Sequence, residues 1–416
     1  MATRYVRQGA AGANNGTDWT NAYTTLSGAT LSRGDVIYVA DGSYAGRTFG
    51  TANSGTTTIT IKKATVADHG TSTGWVDTYG DGQAVFTSTL DFTTGYWIFD
   101  GQTGGGPGNW AGPFGFGTST SSDMIYIGDG CSTTQLSHIE FIGTGSYNGA
   151  QRCMVLETNC SSVTLSYYYM HDIGWITFIG NGQNFICEYG YVKNAYVGAS
   201  HAELFSIWNA LGGGTAVGNF TIRYNLFTAA WSTGGVMWDN SSNHAAELRF
   251  YGNVYYQDPA ASAQWDNGGN GLIGGWSGGG GEDCYNMHVH NNTFIGIDAG
   301  DVFSGVQLRF GSNVASNNLF YNVTGTISYS KFASYDYSRY INSGGTHSET
   351  NGTSAASGDP FVDYANFDFR LTSNTTSGET LASPYNQDMY GNTRATWTRG
   401  AVEFAAGNGP NIILFL

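Results

Sequence analysis

Three acidic side chains recur at nearly equal distances from a repeated phrase. The phrase places an aromatic residue two positions after an Asn, as in Asn225-Leu226-Phe227, Asn253-Val254-Tyr255, Asn292-Thr293-Phe294 and Asn318-Leu319-Phe320. Gly190 holds the equivalent position in Cys187-Glu188-Tyr189-Gly190-Tyr191-Val192. Glu203 lies 13 residues after Gly190, Asp239 lies 14 after Asn225, and Asp266 lies 13 after Asn253. Trp238-Asp239-Asn240 and Trp265-Asp266-Asn267 repeat one tripeptide 27 residues apart. If each phrase is one coil of a stacked structure, equal offsets line the acids up on one face, about 5 Å from coil to coil.

Such a column has two chemical uses. Carboxylates about 5 to 5.5 Å apart suit a retaining glycosidase, and wider pairs suit an inverting one. Three hard oxygen donors also suit Ca²⁺, so that ion is a possible cofactor, though none is required. Trp208, Trp238, Trp265 and Trp276 flank the acids and would stack on sugar rings. His171-Asp172 and His201-Ala202-Glu203 add a histidine beside a carboxylate, the pairing of a general base. The candidate catalytic set is therefore Glu203, Asp239, Asp266 and His201. The competing account is turn architecture, because Asp-Asn after a strand is ordinary turn chemistry and stacked coils repeat their turns.

These side chains need a scaffold, and the phrase describes it. The Asn positions recur every 26 to 39 residues, the sign of a solenoid in which one repeat is one coil. Earlier strands are expected at Val36 to Ala40, Thr58 to Lys62, Tyr96 to Phe99, Met124 to Ile127, Leu136 to Ile142 and Val163 to Met170. The residues between them are too many for tight hairpins, which favours parallel strands joined by loops. About a dozen coils at roughly 4.8 Å each would build a rod on the order of 60 Å long. An inward Asn in each coil would form a ladder of side-chain amides, a structural role. Near the start, Asp18 is placed to cap a short helix over residues 18 to 31 with Trp19, Tyr23 and Leu26 on one face. The run Gly278 to Gly281 reads as a loop and lacks the Lys-Ser/Thr ending of a phosphate cradle.

Composition narrows the partners. The 416 residues carry 16 basic and 31 acidic side chains, a net charge of −15 that repels nucleic acid. Aromatics at 15 % against charged residues at 11 % argue against disorder, and 62 glycines against a helical protein. No run approaches membrane-spanning length. Cys131, Cys153, Cys160, Cys187 and Cys284 are odd in number with no CxxC spacing, so buried free thiols are expected. Met1 leads into Ala2-Thr3-Arg4-Tyr5 without an apolar signal, which fits a virion component or a chain whose signal has been removed. The apolar end Asn411 to Leu416 would zip together in a homotrimer, dock into a larger assembly or form a last cap strand.

The terminal motifs carry a resemblance. Asp359-Pro360-Phe361-Val362-Asp363, Asp368-Phe369-Arg370-Leu371, Asp388 to Arg394 and Arg399-Gly400-Ala401-Val402-Glu403-Phe404 follow one another. With Gly34-Asp35-Val36-Ile37-Tyr38-Val39-Ala40-Asp41-Gly42 near the start, this order resembles right-handed parallel β-helix proteins of the pectate-lyase-like superfamily. The resemblance implies an all-β solenoid: a cap over 1–35, the β-helix over 36–355, and a C-terminal cap with apolar tail over 356–416. It implies function only broadly, since the superfamily holds polysaccharide lyases, glycoside hydrolases, phage tailspikes and adhesins. By resemblance to its lyases, Ca²⁺ would neutralise a uronate carboxyl, and an Arg or Lys would act as base, with Arg223 and Arg249 near in sequence. The expected function is a virion-associated or extracellular spike that binds, and in one version degrades, a host polysaccharide or cell-surface glycan. A secreted lyase or hydrolase and a purely structural fibre are the alternatives.

Overall fold

The computed structural model describes residues 1–180, 182–193, 203–207, 217–228, 235–239, 245–257, 271–274, 285–298, 302–303, 312–344 and 348–404. These form a right-handed parallel β-helix. Each coil contributes to three faces. The first runs through Val36–Val39, Ile59–Lys63, Trp97–Asp100, Phe185–Glu188, Phe220–Arg223, Leu248–Tyr251 and Met287–His290. The second runs through Ala84–Phe86, Phe116–Thr118, Tyr191–Val192, Leu226–Phe227, Val254–Tyr256, Thr293–Ile295 and Leu319–Tyr321. Two 11-residue strands, Ser132–Ile142 and Ser161–His171, continue round the corner, so these two faces form one 22-stranded sheet. The third face is a separate 8-stranded sheet from Thr48–Phe49 to Ile273–Gly274.

The corner between the first two faces explains the repeated phrase. His138, Tyr167, Tyr189, Tyr224, Gly252, Asn291 and Asn317 all take left-handed backbone there, with φ between 52° and 65°. That conformation turns the chain sharply, and the next residue then points inward. In four coils that residue is Asn225, Asn253, Asn292 or Asn318, each buried. The turn leaves the Asn N–H without a strand partner, and the Asn of the next coil supplies the acceptor. Asn225 N–H reaches Asn253 Oδ1 at 3.0 Å, Asn253 N–H reaches Asn292 Oδ1 at 3.0 Å, and Asn292 N–H reaches Asn318 Oδ1 at 3.0 Å. Each Nδ2 donates to a backbone carbonyl, as Asn253 does to Ile222 at 2.9 Å. The ladder ends on Gly190, whose N–H reaches Asn225 Oδ1 at 2.9 Å. Gly190 has no side chain because Tyr168 fills its space: a Cβ there would lie 1.9 Å from Tyr168 Cε1. The Tyr168 hydroxyl takes the missing rung, donating to Asn225 Oδ1 at 3.0 Å.

Alternate residues fill the bore with Ile, Leu, Val and stacked Phe rings, such as Phe49 on Phe92 at 4.3 Å. The buried cysteines 131, 153, 160 and 187 are free thiols, as expected; Cys284 lies outside the described residues.

The N-terminal helix is not formed. Asp18 does cap a turn, accepting the Asn21 N–H at 2.8 Å, and Trp19 and Leu26 are buried. Tyr23, however, is drawn into pairing with the first strand, Thr3–Val6: its N–H reaches Tyr5 O, and its carbonyl accepts Arg7 N–H at 2.8 Å. Strand pairing uses the backbone groups that a helix would need, so the segment stays extended and bent. The sheet accordingly begins at Thr3, which pairs with Val36.

The C-terminal motifs close the second face. Ala401 N–H donates to Thr293 Oγ1 at 2.8 Å, and Phe361 and Phe369 pack in one cluster with Leu226, Val254 and Tyr321. Asp388 accepts the N–H groups of Tyr390, Asn392 and Glu403. The buried Arg394 donates to the carbonyls of Thr398 and Gly400, and Glu403 accepts four successive backbone N–H groups from Ala395 to Thr398. These charged residues fold a loop; they do not face solvent for chemistry. The tail 405–416 lies outside the described residues, as do the glycines 278–281.

Candidate functional site

The third face carries one row of outward side chains open to a ligand. In its register Thr48, Asp91, Tyr126 and Val155 stand in line on successive coils. Arg47, Thr48, Ser88, Thr89, Asp91 and Tyr126 line an open groove of about 470 Å³. Thr48 Oγ1 donates to Asp91 at 3.3 Å, and Tyr126 OH donates to Glu157 at 2.6 Å. Burial and the Glu157 carboxylate hold the Tyr126 phenol well above its ordinary value. Arg47 is fixed by donating to the carbonyls of Leu26 and Ala29. Beside the groove, Arg152 forms a bidentate pair with Asp123 at 2.6 and 2.8 Å. Hydroxyls, a carboxylate, a guanidinium and one aromatic ring in an open groove are the groups that read a polyol.

The acid column does not form between Glu203 and Asp239. Both are buried at the ends of third-face strands, Glu203 before Phe205–Ile207 and Asp239 after Val236–Trp238. The register pairs Phe205 with Val236 and Ile207 with Trp238. Glu203 is thus level with position 234 and Asp239 with position 208, five positions apart, or about 16 Å along the strand. The cause is loop length. From the ladder to the third face the chain takes 15 residues in one coil, Gly190 to Phe205, and 11 in the next, Asn225 to Val236. Equal offsets from the ladder therefore give unequal places on the third face. Trp238 is no sugar platform either. It alternates with the outward Met237, points into the bore with no exposed surface, packs on Phe220 at 6.1 Å and donates Nε1–H to Tyr285 O at 2.9 Å. His201, Trp208, Trp265, Asp266 and Trp276 lie outside the described residues.

The histidine reading leads to a different cluster. His171 does sit against a carboxylate, Asp172, with Nδ1 at 2.8 Å. Its Nε2 meets Glu140, 3.1 Å away, and Glu140 also accepts from Gln83 at 2.8 Å. Burial would lower the His171 pKa, but the two carboxylates outweigh it and raise it. Burial likewise works to raise Glu140, and the hydrogen bonds from His171 and Gln83 bring it below its usual value. With both nitrogens engaged, His171 is locked as an ion-pair centre and cannot take a proton from a substrate.

On the preceding coil, level with Tyr167 in the sheet, the sequence reading missed His138. Its Nδ1 lies 2.7 Å from Asp100 Oδ1, and the same oxygen accepts Ser137 Oγ–H at 2.9 Å and the Gln102 N–H at 2.8 Å. Burial pushes Asp100 up, and these donors prevail and pull it below the ordinary carboxylate range. Arg223 and Arg249 are each held by a carboxylate, Glu188 at 2.6 Å and Glu247 at 2.7 Å, on the outside of the first face. Among the described residues no group of three or more His, Cys, Asp or Glu side chains is arranged to hold a metal ion. Nor is any described helix long and apolar enough to cross a membrane.

No protein-family profile matches the chain, and no curated protein sequence matches it. Solved structures do. The chain aligns with pectate lyase Pel9A over 97 % of its own length and 98 % of that protein, at 13 % identity and a TM-score of 0.57. A mutant of the PL6 family alginate lyase AlyGC aligns over 92 % of this chain and 57 % of its own, at 12 % identity and a TM-score of 0.44. The PL6 family polysaccharide lyase Pedsa3628 from Pseudopedobacter saltans aligns over 86 % and 95 %, at 12 % identity and a TM-score of 0.42. At such identities the first likeness establishes the fold, and the other two are too distant in geometry to carry an argument.

Proposed function

We propose that this protein is a β-helical polysaccharide-binding protein displayed outside the cell or on a virion, with the third face as its glycan contact. The groove lined by Arg47, Thr48, Asp91 and Tyr126 carries this reading. Its hydroxyl and carboxylate acceptors stand one coil apart, so an extended chain laid along the helix axis would meet a new set about every 4.8 Å. The length-wide likeness of fold to pectate lyase Pel9A, a protein named for action on a polysaccharide, supports it. The net charge of −15 and the acids Asp91, Asp123 and Glu157 around the groove favour a neutral glycan over a polyanionic one.

Affinity electrophoresis against neutral and acidic polysaccharides tests the reading. Retardation by a neutral glycan is expected, with Asp91→Ala and Tyr126→Ala each weakening it about tenfold, the effect of losing one hydrogen bond or one ring contact. Retardation by no glycan, or variants that bind as tightly as the parent, would overturn it. Following the ultraviolet absorbance of an unsaturated product in the same mixtures reports whether the bound chain is also cleaved by elimination.

A further inference from the structure

His138 differs from His171 in that one nitrogen is held and the other is open. Nδ1 is fixed by Asp100 at 2.7 Å, and Nε2 has no hydrogen-bond partner among the described residues. The ring lies flat on Tyr167, centroids 4.9 Å apart and 1° from parallel, and Tyr167 lies on Tyr189 at 5.2 Å. The imidazole is 23 % exposed. Its tautomer and its plane are thus both set, on a ring that is partly exposed at the corner. This is the arrangement of a base oriented by a third group.

A glycine strap runs beside it. Gly104, Gly105 and Gly106 have φ of 96°, 87° and 84°, a backbone open to glycine and strained for other residues. The strap packs on the same Tyr167. A Cβ on Gly105 would lie 2.9 Å from the Tyr167 backbone, and one on Gly106 would lie 3.3 Å from Cδ1 and Cε1 of its ring. The strap is anchored at its ends, by Gly115 N–H to Thr103 O at 3.2 Å and Asn109 N–H to Gly106 O at 3.0 Å. The N–H groups of Gly104, Gly105 and Gly106 themselves donate to no acceptor among the described residues. The amides of Gly105 and Gly106 and one oriented imidazole nitrogen thus lie against a single tyrosine, with Gly104 packed on Phe114 beside them.

We propose that this corner is an ester-hydrolysing centre whose substrate is an O-acyl group carried on a glycan. His138 Nε2 takes a proton from water as the water oxygen bonds to the ester carbonyl carbon. The carbonyl π electrons move to oxygen, and the strap amides hold that oxyanion. As the intermediate collapses, the C–O bond to the sugar breaks, and the sugar oxygen leaves with the proton from Nε2. The products are a carboxylic acid and a free sugar hydroxyl, with no oxidant or cofactor in the balance. Asp100 is the positioning residue. The identity of the ester rests on the glycan reading above; the centre itself does not.

Two probes separate the parts: para-nitrophenyl acetate, and O-acetylated xylan with released acetate measured. The full-length protein is expected to hydrolyse both, and His138→Gln to lose about 100-fold or more in kcat, the usual share of a general base. Asp100→Asn is expected to lower kcat with KM unchanged, and Asp100→Glu to restore part of it, a split that a merely structural residue would not give. His171→Gln should leave the rate unchanged. If His138→Gln does not fold, judged by circular dichroism, modification of the wild-type protein by diethyl pyrocarbonate replaces it, and inactivation must track loss of the His138 peptide mass. A wild-type rate on the aryl ester no faster than free imidazole, or a fully active His138→Gln, overturns the centre. Hydrolysis of the aryl ester with neither acetate release nor glycan retardation leaves the centre standing and sinks the glycan reading.

Discussion

Two histidines on successive coils make opposite uses of the same kinds of neighbour, a tyrosine ring and a carboxylate. His171 stacks on Tyr169 at 4.4 Å and is pinned between Glu140 and Asp172. His138 stacks on Tyr167 and is pinned by Asp100 alone. The two tyrosines belong to one strand and flank Tyr168, which turns inward to complete the asparagine ladder. One carboxylate orients an imidazole and leaves a nitrogen for chemistry. A second carboxylate consumes that nitrogen and converts the residue into a structural ion. Proximity of His and Asp in sequence, as in His171-Asp172, therefore points to the wrong member of the pair.

The comparison breaks most completely if the shared corner is broken. Gly190→Ala puts a methyl group 1.9 Å from Tyr168 Cε1. Tyr168 is fully buried and cannot retreat without surrendering its bond to Asn225. A loss of about 3 kcal/mol or more in unfolding free energy is expected in urea, together with disturbance of both histidine clusters in the NMR spectrum. A variant with wild-type stability would show that the corner does not link them.

Replacing each histidine in turn sharpens the contrast. His171→Gln leaves two carboxylates facing each other without their cation and should cost about 2 kcal/mol, whereas His138→Gln should cost about 1 kcal/mol or less. Their order is the test, read from chemical denaturation at one pH. The pH dependence follows from the raised His171 value and the lowered Glu140 value. A raised histidine stabilises fully below its unfolded value of 6.5, and the gain is lost as pH rises through the folded value. A lowered Glu stabilises above its unfolded value of 4.5, and the gain is lost as pH falls through the folded value. The stability gap between wild type and His171→Gln should peak between these two values and shrink on both sides. A gap that grows with alkalinity would mean His171 is held neutral.

How much of this was legible in the sequence follows from what each feature depends on. The ladder was legible because its spacing is local: an Asn, one residue, then an aromatic, repeated wherever the corner recurs. The strands from Val36 to Met170 were legible for the same reason. The acid column was not, because Glu203 and Asp239 are reached from the ladder through loops of unequal length, and only pairing of Phe205 with Val236 reveals the slip. Trp238 was misplaced for want of parity, since the neighbouring Met237 is the residue that faces out. The His138 site escaped because its acid lies 38 residues earlier, level with Ser137 in the sheet. The cue was present in the ruler itself: counted coil by coil from the Asn positions, His138, Tyr167, Tyr189 and Tyr224 fall at one place, immediately before the ladder residue.

The smallest expected effect discriminates best between the two histidines. Tyr167 is sandwiched by His138 and Tyr189, and Tyr169 by His171 and Tyr191 at 5.1 Å. Replacing either tyrosine with Leu keeps apolar volume and removes only ring stacking, about 1 kcal/mol of stability in each case. The stability losses should therefore match, and the consequences for the histidines should not. His171 stays fixed by two carboxylates when Tyr169 becomes Leu. His138 has a single hydrogen bond left when Tyr167 becomes Leu, and one bond permits rotation about its axis. Ring line widths in the NMR spectrum should show this as added motion at His138 and none at His171. Equal motion at both would mean that stacking, and not the count of carboxylates, sets the two apart.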